Sequence, residues 1–130
     1  MFLRQSESIK PGGRAETGRK EELKEKENEG ILCGSCLEPV TARRHRISVN
    51  GAHRHTFRNP AGVVFEIGCF SDAPGCGTTG TPTEEFTWFP GHGWNYTFCG
   101  SCGTHLGWHF SSREGRTFYG LILARLTFIN

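Results

Sequence analysis

The apolar pattern of the chain changes character near residue 30. From Ile31 onward, short runs of aromatic and β-branched residues recur between Gly, Pro, Asn and Asp, and no stretch sustains a helical period. This pattern predicts a nearly all-β domain. Strands are expected over 43–49, 53–57, 63–70, 85–89, 94–98, 105–110 and 117–124. Turns are expected at Asn50-Gly51, Asn59 to Gly62, Asp72 to Pro82 and Pro90 to Gly93. Because side chains alternate across a strand, Leu106, Trp108 and Phe110 are placed on one face of 105–110, with His105 and His109 on the other. By the same rule Phe86 and Trp88 share a face of 85–89.

Residues 1–30 differ in kind. They carry seven basic and seven acidic residues, including every lysine of the protein, and little apolar surface. Such a stretch cannot offset its ordering entropy by burial. It reads as a flexible charged tail, in which Glu21 to Glu29 could form a transient solvated helix, and residues 31–130 read as one domain. The formal net charge of +2 is too small for a nucleic-acid footprint, and Arg43, Arg44 and Arg46 form the one basic cluster. The start has no apolar core for secretion, and no run approaches a membrane span. A soluble, cytoplasmic protein with reduced cysteines is expected.

All six cysteines lie in the domain. Cys33-Gly-Ser-Cys36 and Cys99-Gly-Ser-Cys102 are two Cys-x-x-Cys units separated by 62 residues. Two intervening residues let both thiolates of a unit face one ion, and two units complete a tetrahedral four-sulfur site. One structural zinc is expected; disulfides and an iron–sulfur cluster are the alternatives. Four protein thiolates leave no open position, so the metal is not expected to be catalytic. Cys69 and Cys76 read as a buried apolar cysteine and an incidental loop cysteine. A nucleophilic role would need a depressed pKa and a nearby base. His53 and His55 could chelate, but without a third ligand at metal spacing the six histidines read as surface or hydrogen-bonded groups.

The three tryptophans, Trp88, Trp94 and Trp108, fall within 21 consecutive residues that also hold Cys99 and Cys102. Only Phe89-Pro90-Gly91-His92-Gly93 separates Trp88 from Trp94, so the chain can bring one indole back towards the other. Three indoles can enclose a small ring or a cation from several sides. The alternative is that they are simply core.

The residues Phe86-Thr-Trp-Phe-Pro-Gly-His-Gly-Trp94, Cys99-Gly-Ser-Cys102-Gly-Thr-His-Leu-Gly-Trp-His-Phe110 and Phe118-Tyr-Gly-Leu121 resemble the CULT domain family, the thalidomide-binding domain of cereblon. The resemblance covers about residues 31–126, including the Asn59-Pro-Ala-Gly62 turn, and is nearest to bacterial single-domain members. It implies a mostly β, β-tent-like fold: two antiparallel sheets packed at a steep angle and pinned by a four-cysteine structural zinc. It also implies a cage for glutarimide and related cyclic imides. Trp88, Trp94 and Trp108 would be its walls, Phe110 its base, and Asn59 and Phe65 its edge. The imide would bond to backbone groups of a Phe86-Thr87-Trp88 strand. Animal members carry His at the Phe86 position, whereas the bacterial ones have Phe.

A module that binds cyclic imides, or protein termini ending in a cyclised Asn or Gln, is therefore expected, with no ligase adaptor. The alternatives are an aromatic cage for methylated amines and an enzyme like methionine sulfoxide reductase B, which uses a cysteine located after the second Cys-x-x-Cys. Here none follows Cys102. A nucleic-acid zinc ribbon is a further alternative, since stacked aromatics also hold bases.

Overall fold

The computed structural model describes residues 29–129. The tail reading of residues 1–28 lies outside them. Glu29 and Gly30 belong to the folded part: the Glu29 carboxylate accepts from the Arg44 backbone N–H at 3.1 Å, and Gly30 opens the first strand. The boundary drawn after residue 30 thus falls inside a strand.

Among the described residues nine strands follow in order: β1 (Gly30–Cys33), β2 (Pro39–Ala42), β3 (Arg54–Arg58), β4 (Val64–Phe70), β5 (Cys76–Thr83), β6 (His92–Cys99), β7 (His105–Ser112), β8 (Thr117–Ile122) and β9 (Leu126–Phe128). They form two antiparallel sheets, a three-stranded one in the order β2-β1-β9 and a six-stranded one in the order β3-β4-β8-β7-β6-β5. The centre of the larger sheet is covered on both faces. Phe70, Cys99, Leu106 and Leu121 point one way, against Ile31, Cys33, Val40 and Leu126 of the small sheet. Ile67, Cys69, Trp108, Phe110, Phe118 and Ile122 point the other way, under Val49 and Phe89 from the loops. This double cover explains why β4 ends in four consecutive buried residues rather than alternating.

Several expected elements are corrected. Residues 43–49 are not a strand: Arg43–His45 form a 3-10 turn, followed by single bridges at Arg46 to Phe70 and Val49 to Ala52. The chain turns a corner there between the two sheets. Residues 85–89 are not a strand either. The Thr87 N–H donates to the Glu84 carbonyl at 3.3 Å, closing a turn with Phe86 at φ +56°. β6, the strand that follows, already pairs with β5 and β7, so 85–89 cannot form a hairpin ladder with it. Conversely, Cys76–Thr83 lies in the stretch read as a turn, yet it is the edge strand β5. Its Cys-Gly-Thr-Thr-Gly-Thr-Pro-Thr composition is poor for a strand, and cross-strand pairing with β6 overrides it. The small sheet was missed because its four-residue strands flank a cysteine unit.

The most consequential departure is in β7. Tyr96 pairs with Trp108 and Thr97 with Gly107, but Phe98 pairs with His105, so Leu106 is an extra residue in the ladder. Such a bulge shifts the alternation by one. His105 therefore shares the face of Trp108 and Phe110, the reverse of the alternation expected over 105–110, and Leu106 turns to the opposite core.

Candidate functional site

The two cysteine units meet as expected. Sγ of Cys33, Cys36, Cys99 and Cys102 all lie within 4.8 Å of one another, with 3.7 Å between Cys33 and Cys102 and 3.6 Å between Cys36 and Cys99. A tetrahedral ion with sulfur bonds of about 2.3 Å needs sulfurs roughly 3.8 Å apart, which these spacings meet. All six cysteines are free of disulfides. Four neighbouring thiols cannot all ionise without a cation. Cys102 is the readiest: hydrogen bonds from the Thr104 side chain and then its backbone hold it down to about 6. The Glu38 backbone N–H favours the Cys36 thiolate, but desolvation and the three neighbouring sulfurs outweigh it and push that thiol up to about 12. A divalent cation would relieve that competition.

The two units are copies in their backbone bonding. In each, the third residue's N–H approaches the first sulfur at 3.4 Å (Ser35 to Cys33, Ser101 to Cys99). The fifth residue's N–H donates to the first carbonyl, Leu37 to Cys33 at 2.8 Å and Gly103 to Cys99 at 2.9 Å. That fifth residue is left-handed in both, at φ +64° in Leu37 and +80° in Gly103. Leucine is strained there, and its side chain is 58% exposed, so it gains little by burial. Leu37→Asn is expected to raise stability by about 0.5–1 kcal/mol, because asparagine tolerates this conformation. A thermal melt with unchanged or lowered midpoint would count against it.

A cavity of about 550 Å³ opens on the other face of the large sheet, lined by Trp88, Trp94, Trp108, Phe65, Phe86 and Phe110 among others. Trp88 and Trp108 form its corner, their rings 4.7 Å apart and inclined at 71°. Phe57 stacks behind Trp88 at 4.9 Å, and Phe65 meets Trp108 edge-on at 5.2 Å. Trp94 shares the face through cross-strand pairing with Phe110. Two indoles are anchored by their N–H groups: Trp94 donates to the Glu85 carbonyl at 2.8 Å and Trp88 to the Arg58 carbonyl at 3.3 Å. Gly120 lies opposite Trp108, where a Cβ would meet Ile67 and Phe110 at 2.8 and 3.0 Å; its absence makes room for the rings.

Asn59 also lines the cavity, but its carboxamide oxygen accepts the Val63 N–H at 2.9 Å and so shapes the 59–63 turn. Thr87 is not a lining residue. Its hydroxyl donates to the His92 carbonyl at 2.8 Å and pins the loop between the two tryptophans. Phe86 stands 71% exposed at the cavity edge. The turn's hydrogen bonds run through Glu84, Glu85 and Thr87, and the Phe86 N–H and carbonyl take part in none of those three. The expected strand edge is thus replaced by a left-handed turn.

Sequence reasoning placed neither Tyr96, His105 nor Thr83 at the site; all three line the cavity, together with Glu85. Tyr96 was recoverable by period-2 alternation from Trp94. His105 was not, because a bulge leaves no local signature. His53 and His55 do not approach one another as ligands: their ring nitrogens pair with the carbonyls of Ile47 at 3.1 Å and Val49 at 2.9 Å respectively. Cys69 is fully buried and burial pushes its thiol up to about 11. Cys76 sits across from Cys99 and is pushed up to about 12, first by burial and then by Cys99 and Cys33. Among the described residues no helix is long and apolar enough to cross a membrane.

No protein-family model matches the chain. Among curated proteins it is 33% identical over 103 residues to cereblon of Gallus gallus, covering 74% of this chain and 23% of that protein. It is 36% identical over 90 residues to cereblon of Drosophila virilis (66% and 13%), and 37% identical over 85 residues to cereblon of Danio rerio (63% and 20%). The chain thus spans less than a quarter of these relatives' length. Similarity at this level to vertebrate and insect cereblons, covering about two thirds or more of the chain, makes it a member of the cereblon-type, or CULT, domain family.

Proposed function

We propose that this domain is a binding module for cyclic imides of the glutarimide class, including imides formed by cyclisation of a C-terminal Asn or Gln, and that its four cysteines hold one structural zinc. The observation that carries the reading is the placement of the Phe86 turn at the edge of a cavity walled by Trp88, Trp94 and Trp108. An imide ring has an apolar methylene edge that gains by contact with indole faces. Its other edge is a donor flanked by two carbonyls, which suits the N–H and carbonyl of a turn that its own hydrogen bonds do not engage. The cavity volume lies within the roughly 300–1,000 Å³ typical of small-molecule sites. The kinship with cereblon supports the same reading.

Binding rather than catalysis is favoured by the chemistry of the two remaining thiols. Cys69 and Cys76 both have their pKa raised, so neither is activated as a nucleophile in the manner of a sulfoxide reductase.

A second reading, an aromatic cage for methylated amines, is favoured by one observation: Glu85 lines the cavity and could complement a cation. Titration of tryptophan fluorescence separates the two. Glutarimide is expected to bind. N-methylglutarimide is expected to bind at least about fivefold more weakly, because losing the donor leaves a backbone acceptor unpaired at about 1–3 kcal/mol. A response to trimethyl-lysine but not to glutarimide would overturn the proposal.

A further inference from the structure

The bulge at Leu106 places His105 in the cavity wall, where its surroundings fix its protonation and tautomer. Nδ1 lies 3.3 Å from Nη1 of Arg125, and Nε2 lies 2.9 Å from the carbonyl oxygen of Gly107. Arginine can only donate, so Nδ1 accepts and the single ring proton is on Nε2, donating to Gly107. Arg125 also donates to the His105 carbonyl at 2.9 Å. Its guanidinium lies over the Phe65 ring, 5.9 Å from the centroid. Its own carbonyl accepts the Gly34 N–H of the first cysteine unit at 2.9 Å, so the metal site, Arg125 and the cavity wall are joined.

With both nitrogens engaged, His105 offers the cavity only its ring. That ring stands perpendicular to Trp108 (5.1 Å, 89°) and nearly perpendicular to Tyr96 (5.3 Å, 83°), between the deep wall and the half-exposed outer one. Phe98 adds a third contact at 5.8 Å. The groups around His105 are Arg125 from the segment after β8, Tyr96 and Phe98 from β6, and Trp108 from its own strand. Glu85 is the one acidic residue among those lining the cavity.

We propose that His105 is a positioning residue of this pocket: clamped between Arg125 and the Gly107 carbonyl in one neutral tautomer, it holds Trp108 and Tyr96 at the angle the ligand needs. This rests on the imide reading above for its ligand. Protonation would place an N–H on Nδ1 facing the Arg125 N–H, donor against donor and cation against cation. The clamp then opens and the corner between Trp108 and Tyr96 loses its post. Burial lowers the His105 pKa from its ordinary value and the Arg125 charge adds to this, against the opposing Gly107 hydrogen bond, so the neutral ring is favoured at pH 7 and the clamp fails only on acidification.

Glutarimide affinity, followed by tryptophan fluorescence between pH 8 and 5, is expected to hold steady and then weaken by up to about tenfold per pH unit below the His105 pKa. His105→Phe keeps a ring but removes the titration, and its profile is expected to be flat across that midpoint. Arg125→Gln keeps a donor for Nδ1 without the charge, and the midpoint is expected to move to higher pH. Zinc content measured on each sample separates loss of metal from loss of the clamp. Nitrogen NMR of the histidine rings needs no ligand, so it tests the clamp even if glutarimide binds at no pH, an outcome that would overturn the imide reading alone. The proposal requires a single Nε2–H tautomer for His105 and a titration felt at the Trp108 indole. Identical pH profiles for wild type and His105→Phe, or a His105 that titrates as a free, mixed-tautomer imidazole, would overturn it.

Discussion

Replacing Cys99 with serine is expected to leave a chain that no longer holds its tertiary structure at 25 °C. Cys99 is the last residue of β6, only 3% exposed, and packs in the core between the two sheets beside Cys33 and Leu106. Serine there removes one of four thiolates and buries a hydroxyl among apolar groups. The zinc proposed for this site would contribute on the scale of structural zinc in small domains, about 10–16 kcal/mol, and because it would bind the folded state its loss would remove folding free energy directly. Whole domains are stable by only about 5–15 kcal/mol. The consequence is collapse of the link between the small sheet and the pocket strands. Near-ultraviolet circular dichroism and metal analysis would read both effects. Cys76→Ser is the control, since Cys76 lies across from Cys99 but outside the four-sulfur cluster, and it should retain fold and metal. A Cys99→Ser protein that melts like wild type would sink the structural role of the metal.

Alanine at Trp108 removes the most buried of the three tryptophans that line the cavity. The indole is 8% exposed and touches Trp88, Phe65 and His105, so its deletion opens a void and costs about 3–5 kcal/mol of stability. Imide binding is expected to fall by at least about 30-fold, the range of a central binding residue. Because a loss of that size threatens the fold itself, Trp94→Ala is the companion. Trp94 is partly exposed, and its indole N–H bond to the Glu85 carbonyl is worth about 1 kcal/mol, so that variant stays folded while losing a second wall. Wild-type glutarimide affinity in folded Trp94→Ala, measured by calorimetry, would show that the indoles are core and not cage.

Both predictions join parts of the chain that are far apart in sequence. The Gly34 N–H bonds to the Arg125 carbonyl, and Arg125 bonds to His105 beside Trp108. Damage at the cysteine cluster therefore has a short route to the pocket wall. Loss of metal in a partially unfolded variant should disturb the fluorescence of Trp108 before that of Trp88, which hangs on the separate Arg58 carbonyl.

The residues alone determined what depends on composition and local spacing. Two cysteines two residues apart can face one ion wherever the unit lands, so the four-sulfur set was legible. Aromatic and branched segments broken by turn residues identify β structure, and three tryptophans within 21 residues reduced their role to two readings, a shared cage or core. What depends on pairing was not legible. β5 is a strand because β6 lies beside it, and 85–89 closes into a turn through the Thr87 N–H and the Glu84 carbonyl with Phe86 left-handed. The face of His105 was decided by one extra residue in the β6–β7 ladder, since a slip of one position inverts every side chain beyond it. The sequence thus determined the chemistry available to the site, while the register of hydrogen bonds between distant strands decided which of those groups face the cavity.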